Sequence, residues 1–454
     1  MTNTELDKLK DHKVDHLFLL IGENPLPNYV AARLMLKEDG TVYMVHTTKT
    51  FTRFQLLEKQ LKKFNIKVIP VSLGNAEADG YAIRKKIKEK IRHKGQHDGK
   101  LLLTGRIGLN YTGGTKAMSV HAYQAFIELG LTDCVFSYLD SRKLAMCIDD
   151  IENKETIPIS VALALLPQPS LEDILLLHNL SWDKNNPPIS KSLSPNAAVE
   201  FAKIYMLPNS ETPKQWKSWC DRAFGENTKD ANKRWKEDSQ MPDLSRLKIS
   251  LGNNIEVPES IKKVLREQLQ CASSSEINMN IAKQQLGVKS MSQACQWLVN
   301  AGWLEDYVLS QVEQISTTYS IDKNTLAMSI HIKDPERTRR TDQFEFDVAF
   351  LRGYQLFAIS CTTSFSHDHC KEKLFEAYVR ARELGGDEAR IALVCCYEYP
   401  TDQLKQELSL IIPKQGDKYD PKIEVFGRSD LEPTRFAKKL NDWIKQNIEE
   451  QENE

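Results

Sequence analysis

The sequence contains no run of about 18 charge-free apolar residues, the length a membrane-spanning helix requires. Its first residues, Met1 to Lys8, carry no apolar core of the kind a secretory leader needs, so a cytoplasmic protein with no membrane partner is expected. Excess charge is also missing: 61 Lys and Arg against 62 Asp and Glu leave a net −1. So balanced a chain is no polycation, and contact with nucleic acid must run through a local patch or a metal site. The nine cysteines form no Cys-x-x-Cys pair, and only Cys395 and Cys396 adjoin, which excludes a secreted disulfide framework. What remains, 454 residues at 41% hydrophobic and 27% charged, suits an ordinary globular chain of about three domains.

The most informative stretch runs from 101 to 118. An apolar run beginning at Leu101 ends in Asn110, then comes Thr112-Gly113-Gly114-Thr115-Lys116. Met118, Val120, Ala122, Phe126 and Ile127 follow at helical spacing. A strand, a glycine turn and a helix N-terminus are therefore predicted. Such a turn offers backbone N–H groups, two hydroxyls and an ammonium at the positive end of a helix dipole, a setting that binds an anion, usually phosphate. Gly113 and Gly114 would let a ligand approach the backbone closely. The spacing is neither the triphosphate loop Gly-x-x-x-x-Gly-Lys-Ser/Thr nor the dinucleotide loop Gly-x-Gly-x-x-Gly. A plain strand-to-helix turn is the alternative; the crowding of Asn110, two threonines and Lys116 favours the anion site.

Over the first 180 or so residues, strands alternate with helices, which predicts a parallel α/β sheet. Strands are expected at His16–Ile21, Thr41–His46, Ile66–Val71, from Leu101, at Cys134–Leu139 and at Leu144–Ile148. In such sheets ligands collect beyond the C-terminal strand ends. The Asn24–Asn28 loop, His46–Thr48 and Asn110–Lys116 all fall there. Residues 181–255 are polar with four tryptophans, Trp182, Trp216, Trp219 and Trp235, and read as a connector. A short helix, a glycine turn and a second helix between Ile277 and Trp303 suggest a helix-turn-helix module. Its second helix, Met291–Asn300, has no Arg or Lys to meet phosphates. From Gly302 the chain returns to α/β, with a hairpin of Phe344–Phe350 and Tyr354–Cys361, a helix to Leu384, and strands at Ile391–Cys395 and Ile423–Phe426.

The order of helix Glu305, hairpin Asp347, strand and helix resembles the PD-(D/E)xK nuclease core. The resemblance implies that Glu305 and Asp347 hold Mg²⁺ or Mn²⁺, hard cations that prefer oxygen ligands. It also calls for Asp/Glu-x-Lys on the next strand, where this chain has Ser360-Cys361-Thr362. Lys373 and Glu376, three apart on the following helix, share a face and would supply the missing groups. The expected catalytic set is thus Glu305, Asp347, Ser360, Thr362, Lys373 and Glu376; the alternative is a set of solvated helix charges and a dead nuclease. His367-Asp368-His369-Cys370 invites a zinc reading, but neighbours in one short loop rarely converge on a metal. A loop preceding the Lys371–Leu384 helix is expected there.

As a whole, the chain resembles the CARF-domain effector nucleases of type III CRISPR systems, in the branch that joins an N-terminal CARF domain to a PD-(D/E)xK nuclease. The residues carrying this are Asn110-x-Thr-Gly-Gly-Thr-Lys-x-Met118, Gly22–Asn28, Gly302-x-Leu-Glu305 and Phe346-Asp347-Val348, across about 1–180 and 296–400. The resemblance implies a Rossmann-like CARF sensor at 1–180, a winged-helix-like connector at 181–295 and a restriction-endonuclease-like α/β domain at 296–454. It implies a cyclic oligoadenylate activator, often cyclic tetra-adenylate, bound across a homodimer, since a symmetric ring suits an isologous interface. Asn110, Thr112, Gly113, Gly114, Thr115 and Lys116 would contact phosphate and ribose, and Asn24, Asn28 and Thr47 base or ribose. The implied activity is metal-dependent cleavage of single-stranded RNA, DNA or both in antiviral defence. Two rivals stand beside it: a ligand-responsive DNA-binding regulator, and a messenger-sequestering scaffold with a degenerate nuclease domain.

Overall fold

Two α/β sheets divide the chain, as the alternation of apolar strands and amphipathic helices requires. The computed structural model describes residues 3–92, 103–131, 133–151, 153–184, 186–225, 228–230, 235–252, 255–335, 344–398, 401–409 and 421–453. Helix α1 (Asn3–Asp11) leads into β1 (Val14–Leu20), α2 (Leu26–Met35), β2 (Leu36–His46), α3 (Phe51–Lys62), β3 (Lys67–Ser72) and α4 (Gly80–Ile91). Next come β4 (Ile107–Asn110), α5 (Lys116–Glu128), β5 (Cys134–Asp140), β6 (Ala145–Asp150) and β7 (Glu155–Ser160). These strands form a seven-stranded sheet in the order β3-β2-β1-β4-β5-β6-β7. β3 to β5 run parallel, and β6 and β7 turn back antiparallel. The first domain is thus Rossmann-like.

Short helices α6 (Val161–Ala164) and α7 (Leu171–Leu177) lead to β8 (Ser181–Trp182). The middle of the chain holds α8 (Pro195–Tyr205), α9 (Thr212–Phe224), β9 (Leu247–Lys248), α10 (Glu259–Glu267), β10 (Glu276–Ile277), α11 (Met279–Leu286) and α12 (Met291–Val299). The last part contains α13 (Gly302–Ile315), β11 (Ala327–Lys333), β12 (Phe344–Arg352), β13 (Gln355–Thr362), α14 (His367–Gly385), β14 (Arg390–Cys395), α15 (Asp402–Ser409), β15 (Ile423–Phe426) and α16 (Pro433–Asn453). The second sheet runs β15-β14-β13-β12-β11-β8. β11, β12 and β13 are antiparallel neighbours, and β13, β14 and β15 are parallel. Among the described residues, no helix is long and apolar enough to cross a membrane.

Several local expectations change. The strand before the glycine turn begins at Ile107, while Leu101 and Leu102 lie outside the described residues. β2 starts at Leu36, five residues before Thr41. Asn28 lies in α2, because Pro25 and Pro27 occupy the start of a helix, where a missing N–H costs nothing. His367–Cys370 form the first turn of α14, not a loop before it. The helix-turn-helix pair is present as α11 and α12, joined at Gly287 in the left-handed conformation and capped by a Ser290–Gln293 box.

The middle segment is no loose tether. One apolar core joins α8 through α13 to a face of the second sheet. Within it Trp303 stacks on Phe201 at 5.5 Å and meets Tyr205 at 4.6 Å. Residues 181–295 and 296–454 therefore share a core, and position 295 falls inside α12.

Candidate functional site

The first candidate site is the C-terminal edge of the Rossmann-like sheet. The chain leaves β1 for β2 on one side and returns from β3 to β4 on the other. The crevice between β1 and β4 is therefore the topological switch point, where such folds take their ligands. Two glycines permit the close approach there. A Cβ on Gly113 would lie 2.1 Å from the Leu20 carbonyl oxygen at the end of β1, and one on Gly22 would lie 3.1 Å from the Gly114 nitrogen. Gly114 itself has φ +75°, which glycine alone adopts at no steric cost.

The polar residues of this edge divide in two. Thr115 caps α5, its Oγ1 accepting from Met118 N (3.2 Å) and donating to the Glu77 carbonyl (3.1 Å). Glu77 in turn pairs with Lys49 at 2.6 Å, so the loops after β2, β3 and β4 meet. Lys116 is exposed in the first turn of α5. Asn24 is half-buried, with Oδ1 accepting from Leu26 N at 3.0 Å. Thr112 is half-buried and its Oγ1 accepts from Leu139 N at 2.6 Å.

Asn28, Thr47 and Asn110 are buried and make their bonds within the domain's own framework. Asn28 Nδ2 donates to the Leu20 carbonyl (3.0 Å), and Asn110 Nδ2 donates to Ser137 Oγ (3.1 Å). Thr47 N donates to Thr50 Oγ1 (3.0 Å). These three hold the edge in shape, while Thr112 to Lys116 and Asn24 lie nearer its surface. Lys49 and Glu77 were not singled out from the sequence; only their meeting across two loops reveals them.

The second candidate site lies on the second sheet. Glu305 from α13 and Asp347 from β12 are both buried. Asp347 Oδ2 accepts from Ser360 Oγ (2.9 Å) and from Cys361 N (2.6 Å) on β13. Ser329 on β11 donates to Glu305 Oε2 at 2.7 Å. Ser329 has φ +52° within a strand, and its flanking pairs, Met328 with Val348 and Ile330 with Phe346, bracket Asp347. Strain of this kind in a β-strand persists only where the surroundings enforce it, and it clusters at functional sites.

Electrostatics tie the site together. Burial, then the charges of Asp347 and Glu345, push the Glu305 carboxyl well above the usual carboxylate range. Burial also raises Asp347, against the opposing pull of Lys373 and its two hydrogen bonds. Glu345 is raised by burial of its carboxyl and by Asp347. Burial alone would lower Lys373, but Asp347, Glu376, Glu345 and Glu305 outweigh it and hold its pKa above the ordinary lysine value. On the Asp347 carboxyl the charges of α14 pull in opposite directions, Lys373 lowering its pKa and Glu376 raising it. Glu345 was overlooked in the sequence; two residues before Asp347 on one strand, it shares that residue's face.

Ser360 serves as a hydrogen-bond donor to Asp347. Thr362 is buried, and its Oγ1 accepts from Ser364 N at 3.2 Å. Among the described residues no group of three or more His, Cys, Asp or Glu is arranged to hold a metal ion. Two buried carboxylates nonetheless fit a cation of the Mg²⁺ type, which takes one or two carboxylates and completes its shell with waters and substrate phosphate. Both carboxylates line a cavity of about 710 Å³, which Tyr205, Trp216, Lys217 and Lys229 of the connector also line.

Asp306, next to Glu305, faces elsewhere. It accepts from Ser192 Oγ (2.6 Å), Leu193 N (2.8 Å), Ser194 N (2.8 Å) and Trp297 Nε1 (3.0 Å). α13 is thereby fastened to the connector. The run His367–Cys370 does not converge: His367 pairs with Glu407 at 3.1 Å, while Cys370 is buried.

No protein-family model matches this chain, and no curated protein matches it. Its fold is similar to that of protein VC1899 from Vibrio cholerae, with TM-score 0.67 and 16% identity, over 95% of this chain and 98% of that one. It is also similar to Can2 from Sulfobacillus thermosulfidooxidans in complex with cyclic tetra-adenylate, with TM-score 0.61 and 17% identity, over 95% and 99% of the two chains. At these identities the likeness is one of fold, and it spans both sheets.

Proposed function

We propose that this protein is a cyclic-oligoadenylate-responsive, metal-dependent nuclease of type III CRISPR defence. The observation that carries the reading is the union, in one chain, of a glycine-built phosphate edge at a Rossmann switch point with a buried carboxylate–lysine cluster on a second sheet. The full-length likeness in fold to Can2, whose structure holds cyclic tetra-adenylate, supports the same reading.

In this account Thr112 to Lys116 and Asn24 take the phosphates and riboses of the ring, two copies of the chain enclosing one ligand. Asn28, Thr47 and Asn110 keep the edge in shape for it. Binding acts on the nuclease only through its different affinity for two arrangements of the chain. Glu305 and Asp347 would hold Mn²⁺ or Mg²⁺, which when bound would polarise the scissile phosphate and lower the pKa of a bound water. Ser329 and Ser360 orient the two carboxylates. Lys373, kept charged by its neighbours, neutralises charge that builds on the phosphate oxygens. Glu376 and Glu345 set the field in which Lys373 sits.

One observation favours a second reading. Ser360-Cys361-Thr362 replaces the strand carboxylate and lysine, and a protein that only sequesters the messenger would share this loss. Incubation with labelled single-stranded RNA and DNA in Mn²⁺, with and without cyclic tetra-adenylate, separates the two. Cleavage that needs the ligand and fails in Lys373→Ala supports the nuclease. Ligand binding with no cleavage of any strand selects the sequestering protein.

A further inference from the structure

The cavity of about 710 Å³ at Glu305 and Asp347 is of the size of a small-ligand site. Besides the carboxylates, its lining draws on the connector, a segment to which no role has fallen so far. Of the connector's aromatic lining residues, Tyr205 and Trp216 are buried. Phe365, on the loop between β13 and α14, is 37% exposed and lines the same cavity.

Phe365 is also held in place. Its ring lies parallel to that of Tyr205, within 6° at 6.5 Å. The Arg428 guanidinium stands 5.2 Å from its centroid. Arg428 is itself anchored by the Tyr205 carbonyl (2.8 Å) and Glu398 (3.0 Å). The loop is braced by Ser364 N on Thr362 Oγ1 (3.2 Å) and Ser366 N on Ser364 Oγ (3.1 Å). A partly exposed aromatic braced by Tyr205 and Arg428, at most about 14 Å of chain from Cys361, has the form of a stacking platform. Lys217, paired with Asp221 at 2.5 Å, and Lys229, 4.5 Å from the Trp235 ring centroid, line the same cavity, and cations beside an aromatic are the pairing that single-stranded nucleic acid uses, backbone on charge and base on ring.

We propose that Phe365 is the base-stacking residue of the nuclease site, and that the connector lining with Lys217 and Lys229 guides the backbone, so that the cavity admits an unpaired nucleotide. This rests on the nuclease reading above. A paired base is already stacked within its duplex and must leave it to reach a ring on the cavity wall.

The test is binding of a short fluorescein-labelled oligothymidylate, with EDTA present to prevent cleavage and with saturating cyclic tetra-adenylate. Phe365→Ala should weaken binding about 5- to 150-fold, the loss expected for one stacked base, and Phe365→Trp should restore it. A strand of the same length built from abasic sites should bind wild type and Phe365→Ala alike. Equal oligothymidylate affinity for wild type and a folded Phe365→Ala overturns the proposal while leaving the nuclease reading intact. A wild-type protein that neither binds nor, in Mn²⁺, cuts any strand overturns both.

Discussion

Gly113→Ala is the sharpest test of the ligand edge. A methyl group at this position would lie 2.1 Å from the Leu20 carbonyl oxygen and 2.9 Å from Asn28 Oδ1. The first of these is backbone of β1, a strand held between β2 and β4, and it cannot retreat without opening the sheet. Relief must come from displacement of the turn. Overpacking of this kind costs about 1–3 kcal/mol, and a displaced turn no longer presents its N–H groups and hydroxyls as a set. Cyclic tetra-adenylate affinity should fall at least about tenfold, the equivalent of roughly 1.4 kcal/mol. Gly130→Ala is the control, since Gly130 also has positive φ (+60°) but meets nothing within 4 Å. It should cost about 1–2 kcal/mol of backbone strain and leave ligand binding unchanged. Thermal unfolding and isothermal titration of both variants decide the matter. A Gly113→Ala protein that binds the ring as tightly as wild type refutes the assignment of the turn.

Two further outcomes follow from the geometry. Asp306→Ala strands four donors, Ser192 Oγ, Leu193 N, Ser194 N and Trp297 Nε1, and should destabilise the protein by about 3–5 kcal/mol in chemical denaturation; a loss below 1 kcal/mol would mean that α13 is not fastened this way. Burial, then the charge of Arg53, lowers the His178 pKa to about 4, against an ordinary value near 6.5. The unfolded chain therefore takes up this proton first, so stability is complete above about pH 6.5 and declines as pH falls toward 4. By pH 5 the loss from this residue is about 2 kcal/mol, and His178→Gln should remove that part of the difference in unfolding free energy between pH 7 and pH 5; equal pH slopes in the two proteins would contradict it.

The Rossmann-like half was legible because each buried parallel strand is a short apolar run and each turn at its end carries Gly, Asn or Thr. Position along the chain was less legible than type. The run at Leu101 drew the strand too early, and Pro25 and Pro27 hid only the first turn of α2. β8 and β11 went unread: β8 has two residues, and β11 alternates Ile with Ser and His, a pattern that gains meaning only beside β12. Glu305 and Asp347 stood out through the resemblance to a nuclease core, and Lys373 with Glu376 through helical spacing; the structure brings Glu305, Asp347 and Lys373 to one cavity. Glu345 was hidden by its neighbour Asp347. The packing of the connector against the second sheet, through Trp303, Phe201 and Tyr205, depends on contacts a hundred residues apart, and no local pattern announces it.

The central claim is that one chain senses a cyclic messenger at one sheet and cuts nucleic acid at the other. Its most direct test pairs Lys116→Ala with Asp347→Ala, each measured for cyclic tetra-adenylate binding and for Mn²⁺-dependent cleavage of single-stranded substrate. The account predicts that Asp347→Ala binds the ring normally and cuts nothing, while Lys116→Ala binds weakly and cuts only at raised ligand concentration. Undiminished cleavage by Asp347→Ala, or undiminished ring binding by Lys116→Ala, would contradict it.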